Sequence, residues 1–172
     1  MSDVLLAELP GHWPGITREL GPVPPRTCLR SVPAAGALAV CGIGPAPRSA
    51  AAAREFAVRA LARWRLGAFA GDIAVVVSEL VGNALRHGTA ASPRRPRAGR
   101  PVRLGLLWRD GTVLCAVSDP SSVPPVVREP DHLAERGRGL HIVDSLSRRW
   151  GWSPPGSAGK TVWAAVPVDG AP

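Results

Sequence analysis

The sequence predicts an α+β fold, a two-layer sandwich in which helices cover one face of a mixed, mostly antiparallel sheet. Three observations point to it. Two amphipathic helix patterns follow one short strand pattern, a hairpin signal lies in the middle of the chain, and two further strand patterns close it. The length of 172 residues and the hydrophobic content of 45% suffice for one domain with a core.

Composition argues against several classes of protein. The three cysteines show no CxxC spacing, which disfavours a disulfide framework or a zinc site and favours apolar core positions. No stretch approaches the roughly 18–20 uninterrupted apolar residues of a membrane span. The N-terminus lacks the basic start of a secretory signal. We therefore expect a cytoplasmic protein.

The first part of the chain divides into an arm and the start of the domain. Residues 1–35 are rich in Pro and Gly and show no sustained period, which predicts a loosely ordered arm before a domain at 36–168. The apolar run 37–41 predicts a first short strand.

Two helices are predicted next, over 49–65 and 71–87. In each, apolar residues recur at three- and four-residue steps and form one face. Gly67 and Gly88 follow them as stop signals, and Asp72 lies where a negative charge suits the helix dipole. The apolar positions are Ala53, Phe56, Ala57, Ala60, Leu61 and Trp64 in the first helix, and Ile73, Val76, Val77, Leu80, Ala84 and Leu85 in the second.

The second half of the chain reads as a hairpin, a loop, a helix and two strands. A basic linker over 90–101 precedes strands at 102–108 and 112–118, which Asp110-Gly111 joins as a hairpin turn. A proline-rich irregular segment follows at 120–135. The remaining predicted elements are a helix over 139–147 and strands over 148–153 and 160–166.

The first group of candidate site residues lies on the second helix. Glu79 and Asn83 are four residues apart and therefore share a helix face, which His87 extends by one turn. An amide oxygen is a suitable ligand for Mg²⁺, and a carboxylate can orient or deprotonate a nucleophile. Taken alone, this spacing is more often a solvated helix face, and His87 alone is more often a helix-end residue.

Two further candidates lie on strands. Asp119 ends an apolar strand, where a carboxylate can accept a hydrogen bond from an exocyclic amine such as that of adenine. An Asp-Pro turn is the alternative interpretation. Thr161 opens the last strand and can hydrogen-bond a base, although, taken alone, an ordinary strand threonine is the better interpretation.

A glycine pair opens the short helix near residue 139. Gly137 and Gly139 let a phosphate approach the backbone closely, and the N-terminus of the helix, at Gly139 and Leu140, supplies N–H donors. Arg136 and Arg138 can add positive charge against phosphates. The segment is neither a dinucleotide fingerprint nor a Walker A loop.

The order and spacing of these motifs resemble the GHKL ATPase superfamily with its Bergerat ATP-binding fold. The matching motifs are Glu-Leu-Val-x-Asn-Ala-x-x-His-Gly at 79–88, a strand ending in Asp119, Gly-Arg-Gly-Leu-x-Ile-Val at 137–143 and Gly-x-Thr-Val at 159–162. The resemblance covers about 37–166, and this short form is most similar to anti-sigma-factor serine/threonine kinases and their actinobacterial relatives.

The resemblance implies a role for each matched residue. Asn83 would bind Mg²⁺, and Glu79 would be the general base of phosphoryl transfer. Asp119 would read the adenine amino group with help from Thr161. The phosphates of ATP would lie against Gly137, Gly139 and the following helix, and the segment 120–136 would cover the nucleotide.

The resemblance also implies partners: a sigma factor, and a small STAS-type anti-anti-sigma protein whose serine is phosphorylated. Homodimers are common in such families. One departure is the absence of a glycine soon after Asp119, where Pro120 and two serines stand instead. A non-catalytic, ATP-dependent protein-binding switch is therefore the alternative function.

Nucleic-acid binding through the arginines at 94–103 is a third hypothesis. The net charge of +8 comes almost wholly from arginine, which a GC-rich genome also favours. A solvated loop is the better interpretation of this segment, and we expect no nucleic-acid partner.

Overall fold

The computed structural model describes residues 28–32, 36–44, 46, 48–88, 102–121, 123–126, 138–156 and 159–169. They form six strands and three α-helices in this order: β1 (Cys28–Val32), β2 (Gly36–Ile43), α1 (Ser49–Arg63), α2 (Ala70–Asn83), β3 (Val102–Arg109), β4 (Thr112–Asp119), α3 (Gly139–Leu146), β5 (Arg149–Gly156) and β6 (Gly159–Pro167). A 3₁₀ turn, Gly67–Phe69, leads into α2, and a π-helical turn, Ala84–Gly88, continues it.

The strands form one sheet in the order β1-β2-β3-β4-β6-β5. Each of its five described pairings is antiparallel, so the predicted α+β fold is confirmed with a sheet more regular than the mixed one expected. The β3–β4 hairpin closes through Asp110 and Gly111, whose φ angles of 48° and 66° are those of the tight turn that this dipeptide favours.

The main core lies between the sheet and the helices. Side chains alternate along a strand, so every second residue faces the helical layer. Those of the four inner strands, β2, β3, β4 and β6, meet the apolar stripes of α1 and α2 and one residue of α3. Examples are Leu104, Cys115 and Val162 from the sheet, and Phe56, Val77 and Val143 from the helices.

The intervening strand residues form a second buried cluster on the other face of the sheet. Its members are Leu38, Val40, Leu107, Leu114, Ala116, Trp163 and Ala165. The two clusters together show which strand residues face the helices and which face away.

The N-terminal prediction is corrected at one point. Cys28–Val32, within the segment predicted to be a loosely ordered arm, forms β1 and pairs with β2 from Cys28 opposite Val40 to Val32 opposite Gly36. Backbone pairing to an existing strand needs no apolar alternation from the added edge strand, so the sequence pattern did not reveal it.

The helical stretch Gly67–His87 is long and apolar enough, by length and composition, to cross a membrane. The buried side chains of α2 belong to the core, which accounts for much of this apolar character. A core helix of a folded domain passes the same test, so the observation carries little weight.

Candidate functional site

The central relationship in the site is the approach of α3 to α2. Glu79 and Asn83 lie one turn apart and half-buried on α2. A methyl group added at Gly139 would collide with Glu79 Oε2 and lie 3.7 Å from Asn83 Nδ2. Two motifs separated by more than fifty residues therefore meet, and the glycine makes the close approach possible.

The N-terminus of α3 opens beside these two side chains. Its flanking residue, Arg138, makes no side-chain capping bond, and its carbonyl accepts the N–H of Ile142 at 3.0 Å. A helix N-terminus without a side-chain cap presents N–H donors and the positive end of the helix dipole to an anion. Arg138 is exposed, so its guanidinium can turn towards a phosphate.

The other candidate residues of the segment 136–140 are Leu140, which is buried, and Arg136 and Gly137, which lie outside the described residues. The side chain of Leu140 is buried, with 6% exposed, so it anchors α3 and only its backbone can face a ligand. Arg136 and Gly137 lie outside the described residues, as does most of the segment 120–136.

Asn83 already holds a cationic partner. Arg86 donates from Nη2 to Asn83 Oδ1 at 2.8 Å, and this pair is exposed. Oδ1 is the atom that a hard cation would take, so Mg²⁺ would replace this bond. His87 is exposed in the π-helical turn that follows α2.

Asp119 lies at the end of β4 with a buried carboxylate. Its Oδ1 accepts hydrogen bonds from Lys160 Nζ at 2.9 Å and from the Ser121 amide at 2.8 Å. Asp119 and Lys160 are paired across β4 and β6, and their side chains are 1% and 6% exposed. The carboxylate is thus held by an ion pair that the sequence analysis did not anticipate.

The position of Thr161 differs from the one expected for a residue that assists Asp119. Its hydroxyl lies 2.6 Å from that of Ser118, and its backbone N–H donates to Ser153 Oγ at 3.2 Å. Neighbours on a strand point to opposite faces, and Trp163 belongs to the cluster away from the helices. Thr161 therefore faces the side of the sheet opposite to that of Asp119.

Lys160 is the functional candidate that sequence reasoning missed. It stands between Gly159 and Thr161 in the motif identified in the sequence, and it is the only lysine in the chain. A lone lysine in an otherwise apolar strand was the available signal, because such a residue is rarely buried without a partner.

A model of the histidine kinase-like ATPase domain matches residues 43–166, which is more than half of the chain. The chain belongs to this family. The match includes α1, α2 and all the predicted site residues, and it supports an ATP-binding regulatory function. No curated protein matches the sequence significantly.

The side chains present fit the ATP and Mg²⁺ that domains of this histidine kinase-like ATPase family generally bind. Within the described residues, no three His, Cys, Asp or Glu side chains converge as a metal site. Mg²⁺ retains waters and takes phosphate oxygens as ligands, so a site with few protein ligands is compatible with this ion, and the amide oxygen of Asn83 would be one of them. Gly139 leaves space beside Glu79 that a larger residue would fill.

Proposed function

We propose that this ATPase-family domain is a serine/threonine-protein kinase of the anti-sigma-factor type. It binds ATP with Mg²⁺, phosphorylates a STAS-type anti-anti-sigma protein and sequesters a sigma factor in the cytoplasm. The observation that carries the proposal is the convergence of Glu79, Asn83 and Gly139. These residues supply a base, a metal ligand and an open helix N-terminus at one place.

Phosphoryl transfer depends chiefly on positioning and charge neutralisation. The partner's seryl oxygen attacks the γ-phosphorus, the bond from that phosphorus to the β,γ-bridging oxygen breaks, and ADP leaves. Glu79 takes the seryl proton. The half-buried position of Glu79, directly against Gly139, holds its carboxylate at the end of α3 where the phosphates are expected to lie.

Nucleotide binding is tested first, by calorimetric titration of ATP with and without Mg²⁺. The unaltered domain and Asn83→Ala are compared. We expect Mg²⁺-dependent binding that the variant loses. An absence of binding at millimolar ATP in the unaltered domain would overturn the nucleotide site.

Transfer is tested with γ-labelled ATP and the STAS-type proteins encoded in the same genome. We expect label on one of them, lost in Glu79→Ala while ATP still binds. Transfer that survives in Glu79→Ala would eliminate the general-base role. Light scattering of the same samples tests whether the domain forms a homodimer, as the family resemblance implies.

The alternative function is a switch that binds ATP and a partner without transfer. Two observations favour it. Pro120 and Ser121 follow Asp119 where relatives often have glycine, and the Ser121 amide is bound to the Asp119 carboxylate. ATP-dependent retention of a sigma factor with no labelled partner would support the switch, and a labelled partner would exclude it.

A further inference from the structure

Asp119, the residue that the family resemblance assigns to adenine, forms a buried pair with Lys160. Both residues face the helical layer, because Val117 and Val162, each two residues away on the same strand, belong to the main core cluster. They are directly paired in the register of β4 and β6, at the same end of the sheet as the loop that leaves β4. The position is thus fixed by backbone pairing on both sides.

The ammonium group of Lys160 has more donors than its described contacts use. It carries three N–H groups, and among the described residues Asp119 Oδ1 is the acceptor placed against them. The residue is 5% exposed. Burial of a charged pair is favourable only when its remaining polar atoms also find partners, so an acceptor from a ligand would complete the site.

We propose that Lys160 joins Asp119, which the resemblance already assigns to adenine, in reading the Watson–Crick edge of the base. The carboxylate accepts a hydrogen bond from the 6-amino group, and the ammonium donates to ring nitrogen N1. Adenine presents a donor beside an acceptor on this edge, and the pair presents an acceptor beside a donor. The inference rests on the proposed binding of ATP and assigns to Lys160 the assisting role that Thr161, on the opposite face, cannot fill.

The same contact discriminates among purines. N1 of a 6-oxopurine carries a proton, which would point at the ammonium instead of accepting from it. The buried setting strengthens this preference, because water cannot easily mediate between two donors at a site where the paired side chains are 1% and 6% exposed.

The first test changes the nucleotide and keeps the protein unaltered, so its outcome does not depend on whether a substituted domain folds. Calorimetry with the unaltered domain and Mg²⁺ compares ATP, 1-deaza-ATP, which lacks N1, and 7-deaza-ATP as a matched control. A hydrogen bond from a charged donor predicts that 1-deaza-ATP binds about 10-fold or more weakly than ATP. The 7-deaza analogue is expected to bind as ATP does.

Lys160→Met then assigns the effect to this residue. The variant is expected to bind ATP and 1-deaza-ATP equally, and Lys160→Arg to retain part of the difference. Because removal of one partner from a buried pair costs stability, thermal unfolding of each variant is measured alongside.

Three outcomes would overturn the inference. Equal binding of ATP and 1-deaza-ATP by the unaltered domain removes the contact with N1. Tighter ATP binding by Lys160→Met shows that the lysine competes with the base for Asp119. Failure of all three nucleotides to bind the unaltered domain rejects the proposed function itself, which the first two outcomes leave standing.

Discussion

Helix α3 can approach Glu79 as closely as it does because residue 139 is glycine: a Cβ there would collide with Glu79 Oε2 and lie 3.4 Å from Glu79 Cδ. The Glu79 carboxylate and the N-terminus of α3 are therefore positioned by each other. The two groups form one unit, in which the end of the helix fixes the carboxylate and the carboxylate limits the space in front of the helix, where the proposed phosphate site lies.

Gly139→Ala is expected to weaken binding of ATP with Mg²⁺ by about 10-fold, because small displacements of positioning groups have effects of this order or larger. Calorimetry measures the affinity. The matched control is Gly71→Ala in α2, where an added Cβ meets nothing within 4 Å. The control should bind ATP normally and gain up to about 1 kcal/mol of stability. Unchanged ATP affinity in Gly139→Ala would contradict the argument.

The buried thiols are expected to be unreactive. Burial raises the pKa of Cys115 to about 12, and burial likewise raises that of Cys41 to about 12 although nearby Arg59 lowers it in part. At pH 8 both are protonated, and the thiol is a poor nucleophile. In Cys28→Ser, a thiol reagent should react slowly with the native domain and rapidly in denaturant. Rapid reaction of the native domain would refute the assignment.

The same pKa shifts predict a loss of stability in alkali. Above the ordinary thiol pKa of 9.0 the unfolded chain releases these protons, while the folded domain keeps them until about pH 12. The unfolded state then binds fewer protons, so the free energy of unfolding falls as pH rises from 9 to 12. Urea unfolding across this range should show a smaller fall in Cys115→Ala than in the unaltered domain.

Position 159, at the start of β6, must be glycine for two reasons. Its φ is +103°, and an added Cβ would overlap the backbone carbonyl oxygen of Asp119. Gly159→Ala is therefore expected to lose at least about 2 kcal/mol of stability. Gly44→Ala, where an added Cβ meets nothing within 4 Å, is the control. Equal midpoints of urea unfolding for both variants would show that the strand start adapts.

Much of the fold follows from local sequence signals. In α1 and α2, apolar residues recur at helical spacing because one side of each helix packs against the sheet. Asp110-Gly111 specifies its hairpin because both residues adopt the positive φ angles of a tight turn. Both signals lie within short segments. The edge strand β1 was missed because its pairing with β2 depends on a distant backbone rather than on its own side-chain pattern.

The candidate site likewise combines local signals, which the sequence shows, with long-range pairing, which it does not. The spacing of Glu79 and Asn83 on a helix was sufficient to place them together. The lone lysine could mark Lys160 as unusual, but the sequence could not show whether Lys160 or Thr161 lies beside Asp119, because a shift of one residue in strand register exchanges the faces. The pairing of Asp119 with Lys160, which places the lysine and not the threonine beside the carboxylate, is a long-range property of the sheet.

On the face of the sheet opposite the helices, a side chain larger than that of Gly151 is expected to destabilise the domain. Trp163 lies across this residue, and an added Cβ would be 2.9 Å from Trp163 Cζ2 and 3.2 Å from its Cε2. Trp163 is 2% exposed and packed in the second cluster, so the indole has little space to move. Gly151→Ala should therefore cost about 1–3 kcal/mol.

Urea unfolding followed by tryptophan fluorescence measures this loss. Gly42→Ala in β2 is the control, because an added Cβ there meets nothing within 4 Å, and its effect should stay within about 0.5 kcal/mol. The double variant Gly151→Ala, Trp163→Leu tests the cause. If the clash with the indole is responsible, the alanine costs less beside leucine than beside tryptophan. The same cost in both backgrounds would assign the loss to the backbone of β5 instead.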